Sequence, residues 1–312
     1  MTVVVAAPEH PLPDPGGATG ERKGGWFTRI TIVAVVLLWT IPTLGVLISS
    51  FRPEPLVNGT GWWTALAHPF RGAEWTLENY RTALSTGGFG NAFLNSLAVA
   101  IPSTVIPITV AAFAAYAFSW MDFRGRHLMF VLVVGLMVVP LQMALIPILR
   151  LYTGGAKIGG ATVFPDLNLG GTFLGVWLAH TAFGLPLAVY LLRNYIGSLP
   201  SSIIESAKID GADHFTIFWR LIIPLSVPAL AAFAIFQFLW VWNDLLIAYV
   251  FLGGSHENRV LTIALADLVG SRGENWHLLT SAAFLSMALP LTVFFSLQRY
   301  FVRGLTAGSV KG

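Results

Sequence analysis

Cysteine is absent from the 312 residues, which excludes disulfide staples and thiolate metal sites. Charge is scarce too. Asp, Glu, Lys and Arg together make up 11% of the chain, whereas a soluble domain carries about 25%. No G-x-x-x-x-G-K-[ST] phosphate loop occurs, so no nucleotide site of that kind is expected. Gly154-Gly155 and Gly159-Gly160 lack the Lys-Ser/Thr ending and read as turns. The net charge of +3 is small, and no nucleic-acid partner is expected.

What the chain has is apolar length. Hydrophobic residues make up 55% and the mean hydropathy is +0.71. A bilayer span needs about 20 apolar residues, and a β-barrel would show short alternating segments instead. The predicted fold is therefore an all-α, polytopic membrane protein with six transmembrane helices, near Ile30–Ser50, Asn91–Ser119, His127–Leu149, Thr172–Leu192, Leu225–Leu252 and Leu278–Val302. Pro42, Pro102, Pro107, Pro140, Pro147, Pro186 and Pro290 interrupt these spans, and each invites a kink. Residues 1–24, rich in Pro and Gly, read as a disordered cytoplasmic tail. The apolar run that follows is too long for a signal-peptide core and reads as the first permanent span. Residues 25–303 read as the transmembrane domain and 304–312 as a small polar tail.

Lys and Arg set the orientation. With both termini in the cytoplasm, 11 of the 18 basic residues fall inside, and the short loop Asp122-Phe123-Arg124-Gly125-Arg126 is the clearest marker. The long outer loop from about Phe51 to Gly90 holds Gly61-Trp62-Trp63 and Trp75, which read as interfacial anchors. A short helix is expected near Leu261–Val269.

One polar segment lies between spans four and five. Glu205–Pro224 reads ESAKIDGADHFTIFWRLIIP. Pro200 opens a helix, Ser202 and Glu205 fit a capping box, and Asp210-Gly211 stops it. A second helix from about Asp213 carries Phe215, Phe218, Trp219 and Ile222 on one stripe and ends at Pro224. The pattern alone fits either a helix lying on the inner leaflet or one docked in a protein groove.

Glu205-Ser206-Ala207, Asp210-Gly211-Ala212, Phe218 and Pro224 resemble the coupling-loop signature of bacterial ABC-importer permeases, with Ser206 where Ala is usual. Asn95-Ser96-Leu97, Tyr116-Ala117-Phe118, Trp242-Asn243-Asp244 and the C-terminal Gln298–Gly312 are similar to the second permease of maltose-type carbohydrate importers. Gly61-Trp62-Trp63 resembles α-glucoside permeases. The resemblance implies a bacterial inner-membrane subunit that is not itself an enzyme. It implies a heterodimer with a sister permease, two cytoplasmic ATPase subunits that bind the ATP, an extracytoplasmic solute-binding protein and a sugar substrate. No cofactor is expected in this chain. Glu205, Ala207, Asp210, Gly211, Ala212, Phe215 and Phe218 would dock on the ATPase.

Asp244 is the one acid placed well inside an apolar span, where a charge faces a cavity or a partner; capping of neighbouring backbone is the plainer alternative. Gln142, Gln237, Trp240 and Asn243 complete the candidates for contact with sugar hydroxyls and ring faces. A permease for a non-sugar solute and a stand-alone secondary transporter are the competing readings. The latter calls for more intramembrane charge, and it leaves Glu205–Pro224 without a purpose. An intramembrane enzyme calls for His or paired acids within spans; His180 alone lies there, with no acid near it in sequence.

Overall fold

A computed structural model of the chain describes residues 25–85, 88–268 and 275–306, with side chains to 298. The tail at 1–24 and most of the C-terminal tail lie outside the described residues. The helices are α1 (Trp26–Ser50), α2 (Glu54–Gly59), α3 (Trp63–Ala67), α4 (Glu78–Ser85), α5 (Phe89–Trp120), α6 (Arg126–Gly135), α7 (Leu141–Gly154), α8 (Phe173–Ile196), α9 (Ser201–Ile209), α10 (His214–Ile217), α11 (Ile223–Trp242), α12 (Leu246–Leu252), α13 (Leu261–Leu268) and α14 (Trp276–Thr306). Strands β1 (Ala156–Ile158) and β2 (Ala161–Phe164) pair antiparallel. They form a hairpin, not predicted from sequence, whose turn residues Gly159 and Gly160 both take positive φ, as the tight hairpin turn requires.

The chain divides into two compact units, Met1–Val46 and Leu47–Gly312. In the first, the helix from Trp26 is apolar on every side and exposed, a pattern that a bilayer solvates. Among the described residues, five helices are long and apolar enough to cross a membrane. A sixth crossing results if Arg126–Val138 and Leu141–Gly154, bent by 107°, count as one span. The third span, expected near His127–Leu149 with kinks invited at Pro140 and Pro147, is broken sharply at the first of these prolines. Pro140 caps α7 with an extended backbone; its ring disfavours helix in the residue before it, and the chain turns there. Pro102, Pro107, Pro186 and Pro290 by contrast lie inside continuous helices.

Helices α5, α8 and α11 pack side by side, and α14 packs on α11. They enclose two apolar cores. One joins the first half of α5 and α8 to Trp242, α12 and α13. The other joins Ala111–Phe118 of α5 and Ala188–Ile196 of α8 to Ile204, Ile217, Phe218 and Ile222. Polar groups sit between them: Ser103, buried Gln237, which donates to the Ser103 carbonyl at 3.1 Å, and Gly184, where a Cβ would meet the Gln237 amide at 2.8 Å.

The loop after α1 is folded around one buried cation. Arg52 donates to the Gly61 carbonyl at 3.0 Å, to Thr60 Oγ1 at 2.7 Å and to Thr64 Oγ1 at 3.0 Å, and pairs with Glu74 at 3.3 Å. Partners on both terminal nitrogens offset much of the cost of burying a guanidinium. Asn79 donates to the carbonyls of Ser50 and Arg52 and ties α4 to the end of α1. Asn95 and Ser96 have a similar task. Asn95 donates to the carbonyls of Glu257 and Arg259, and Ser96 Oγ accepts from the Leu261 N–H at the start of α13.

Candidate functional site: an exposed elbow and a buried polar seam

Helix α9 begins directly after Pro200, which serves as its N-cap without a side-chain bond. The expected Ser202–Glu205 capping box is therefore absent: Ser202 is already inside the first turn. The other end follows the sequence reading. Gly211 takes φ +80°, its N–H bonds to the Lys208 carbonyl at 3.1 Å, and the Ala212 N–H reaches back to the Ala207 carbonyl at 2.9 Å. This pair of bonds is the Schellman closure of a helix, and its left-handed residue is the position that favours glycine. Asp213 then caps α10 by accepting from the Thr216 N–H at 2.8 Å. Bonds from Thr216 hold the Asp213 carboxyl below the usual carboxylate range.

Pro224 does not end the second arm. A π-helical turn spans Phe218–Ile222, in which the Ile223 N–H bonds to the Phe218 carbonyl five residues back. A proline at 224 cannot donate to residue 220, and the wider turn absorbs that missing bond. His214–Trp242 consequently forms one 29-residue helical rod, running from the elbow into the bundle.

The elbow has two faces. Glu205, Ile209, Asp210, Gly211 and Phe215 are exposed, Ile209 by 86% and Phe215 by 67%, and Ala207 and Ala212 are half-buried beside them. Ile204, Ile217 and Phe218 face inward. Phe218, expected on the docking surface, is 3% exposed and stacks on Phe113 at 4.5 Å between ring centroids, with Tyr116 at 5.5 Å. The reason is helical phase: Phe218 and Ile222, four residues apart, share the face toward α5 and α8, and Phe215 and the half-exposed Trp219 share the neighbouring face outside.

Span five is also broken. Helix α11 stops at Trp242, and α12 starts after Asn243-Asp244-Leu245. Asp244 lies in this break rather than within a continuous helix. Its Oδ2 accepts from the Ala248 N–H at 3.0 Å, and its carbonyl accepts from Thr262 Oγ1 at 2.7 Å. Asp244 thus caps α12 and holds α13. It also faces His180 of α8, with Nε2 at 3.8 Å from Oδ2, too long for a hydrogen bond. His180 is fully buried and meets the Trp240 ring edge-on at 5.5 Å. Gln237, Trp240 and Asp244 therefore lie along the seam facing His180 and Gly184. Asn243 instead bonds back to the Leu239 carbonyl and is exposed, and Gln142 is exposed on the first turn of α7. The sequence reading passed over His180 because its acid is 64 residues away; the shared phase of Gly184 with His180, and of Gln237 with Asp244, was the available signal.

A polytopic helical bundle with a structured elbow between two of its spans is a membrane-integral protein. The chain belongs to the family of binding-protein-dependent transport system inner membrane components, which it matches over residues 107–307. It is thus a permease component of ABC importers and not itself an enzyme. It is 58% identical to the osmoprotective compounds uptake permease protein GgtD of Synechocystis sp., covering 91% of each chain. It is 44% identical to the alpha-glucoside transport system permease protein AglG of Rhizobium meliloti, covering 92% of this chain and 97% of the relative. Its fold matches a chain of a bacterial ABC transporter involved in the import of the acidic polysaccharide alginate, with a TM-score of 0.70 and 20% identity, over 92% of this chain and all of the other.

Proposed function

We propose that this chain forms half of the translocation pathway of an ATP-driven importer for α-glucosides. A sister permease supplies the other half. The exposed face of the elbow, Glu205, Ala207, Asp210, Gly211, Ala212 and Phe215, docks on a separate cytoplasmic ATPase subunit, and an extracytoplasmic binding protein delivers the solute. The observation that carries this reading is the two-faced elbow. Its outer face offers a tight turn and an aromatic anchor, the features of a helix that fits a groove. Its inner face is fused to the bundle. Closure of an ATPase pair would draw two such elbows together and rock the bundles between states.

The substrate class rests on the α-glucoside relative and on the chemistry of the seam. A carboxylate, an amide and an indole can meet hydroxyls and a pyranose face once the bundle opens. The relative named for osmoprotective compounds favours a second reading, in which the solute is an osmolyte that is not a sugar. Sugar-stimulated ATP hydrolysis by the reconstituted complex of both permeases, ATPase and binding protein separates the two. An α-glucoside such as trehalose or sucrose is expected to raise the rate several-fold, and a quaternary-ammonium osmolyte to leave it at baseline. The reverse pattern would replace the first reading by the second.

A further inference from the structure

The elbow is joined to the rest of the molecule at a specific side-chain pair. The hydroxyl of Tyr116, on the last turn but one of α5, forms a hydrogen bond of 2.8 Å with Nδ1 of His214, the first residue of α10. The two residues are 98 positions apart. The Tyr116 ring is buried, at 4% exposure, and lies 5.9 Å from the His214 ring and 5.5 Å from Phe218. Phe113, one turn earlier on α5, stacks on Phe218. Three aromatic rings and one polar bond thus clamp the start of the second arm onto α5. The clamp sits where the arm changes character. On one side, Asp213 and the Gly211 turn lead to the exposed tip. On the other, the π turn leads into α11.

This placement has a mechanical consequence. Stacked rings resist compression but slide with little cost, because aromatic pairs hold comparable energy over a range of offsets. A hydrogen bond between two fixed side chains is directional. Phe113 and Phe218 keep the arm against α5, Ile217 and Ile222 pack it into the core, and the Tyr116–His214 bond adds a directional tie from its first residue to α5. A push on the tip reaches α11 along the rod and α5 through this bond. Without the bond the first turn of the arm can shift against α5 before the rod moves.

We infer that Tyr116 and His214 are positioning residues for coupling: their hydrogen bond fixes the elbow to α5, so that movement of an ATPase docked at the tip is converted into movement of the bundle. This rests on the elbow being the ATPase contact. Neither residue touches solute or nucleotide in this scheme.

Tyr116→Phe keeps the ring stack and deletes the hydroxyl alone. In the reconstituted complex, Tyr116→Phe and His214→Ala are each expected to keep co-purification with the ATPase and basal ATP hydrolysis at parental levels. Solute transported per ATP hydrolysed should fall about three- to tenfold, the factor for one lost hydrogen bond. The double variant should be no worse than either single one, since both remove the same bond. His214→Asn, whose side-chain oxygen can accept from the Tyr116 hydroxyl, should restore most of the ratio. A purely structural role would lower yield and thermal stability instead, without rescue. An unchanged transport ratio in Tyr116→Phe, or additive losses in the double variant, would overturn the inference. Loss of ATPase co-purification in His214→Ala but not in Tyr116→Phe would also overturn it, by placing His214 on the docking face. The underlying reading is tested separately: if Gly211→Pro leaves transport intact, the elbow is not the coupling contact at all.

Discussion

Gly211→Pro is expected to reduce solute uptake to background while the protein still inserts in the membrane at its normal level. Gly211 holds φ +80°, and a proline ring fixes φ near −65°, so the substitution cannot be accommodated by local adjustment. It also deletes the N–H that bonds to Lys208 and thereby the register that brings the Ala212 N–H onto Ala207. The two arms would then leave the turn at a different angle. The spans are untouched, because Gly211 is exposed and its neighbours Ala207 and Ala212 only border the second apolar core. Gly211→Ala is the graded control. No atom lies within 4 Å of a Cβ built at this position, so alanine meets only the backbone penalty of a left-handed residue, about 1–2 kcal/mol. It should retain part of the uptake. Uptake at parental rate in Gly211→Pro would remove the elbow from the coupling path.

The second large effect separates two phenylalanines three residues apart. Phe218→Ala should lower the stability of the folded permease by about 3–5 kcal/mol, the usual cost of emptying a buried aromatic site, because Phe218 is 3% exposed and stacked on Phe113. Phe215→Ala should leave stability within about 0.5 kcal/mol, because Phe215 is 67% exposed. It should weaken association with the ATPase by tenfold or more, as loss of an aromatic anchor of about 2 kcal/mol does. Thermal unfolding in detergent and co-purification with the ATPase read the two effects independently. The opposite assignment, with Phe218→Ala stable but dissociated, is what reading the stripe as one docking face predicts and what the stacking of Phe218 on Phe113 contradicts.

That contrast marks where sequence reading ends. Apolar length showed the spans, because bilayer thickness dictates length directly. The Gly211 turn was legible because a left-handed residue favours glycine wherever it occurs. The 107° bend at Pro140 was not, since Pro102 and Pro107 look alike in sequence and lie inside one continuous helix; neighbouring packing decides which proline bends the chain. The side that Phe218 takes is decided by packing too. Phe215 and Phe218 lie three residues apart, about 60° around an α-helix, so one stripe straddles the boundary between inside and outside, and only the contact with Phe113 shows which ring faces in. Partners distant along the chain were invisible altogether. His180 and Asp244 meet across 64 residues, Tyr116 and His214 across 98, and no local pattern encodes such pairs. Nothing local marks Arg52 as buried, yet it is 1% exposed and organises the loop after α1.

The central claim is that the exposed face of the elbow meets the ATPase. Because the chain contains no cysteine, a single introduced thiol reports its own surroundings. Ile209→Cys, at a position 86% exposed on the elbow, should cross-link to the ATPase subunit in the assembled complex through a short maleimide–succinimidyl ester that bridges the thiol to a lysine amine of the ATPase, and ATP should change the yield. Val163→Cys, in the β-hairpin and 63% exposed, should give none. Cross-linking from Ile209→Cys with the Val163→Cys control silent is the result the account predicts. No cross-link from Ile209→Cys in a complex that still hydrolyses ATP on addition of solute would contradict it.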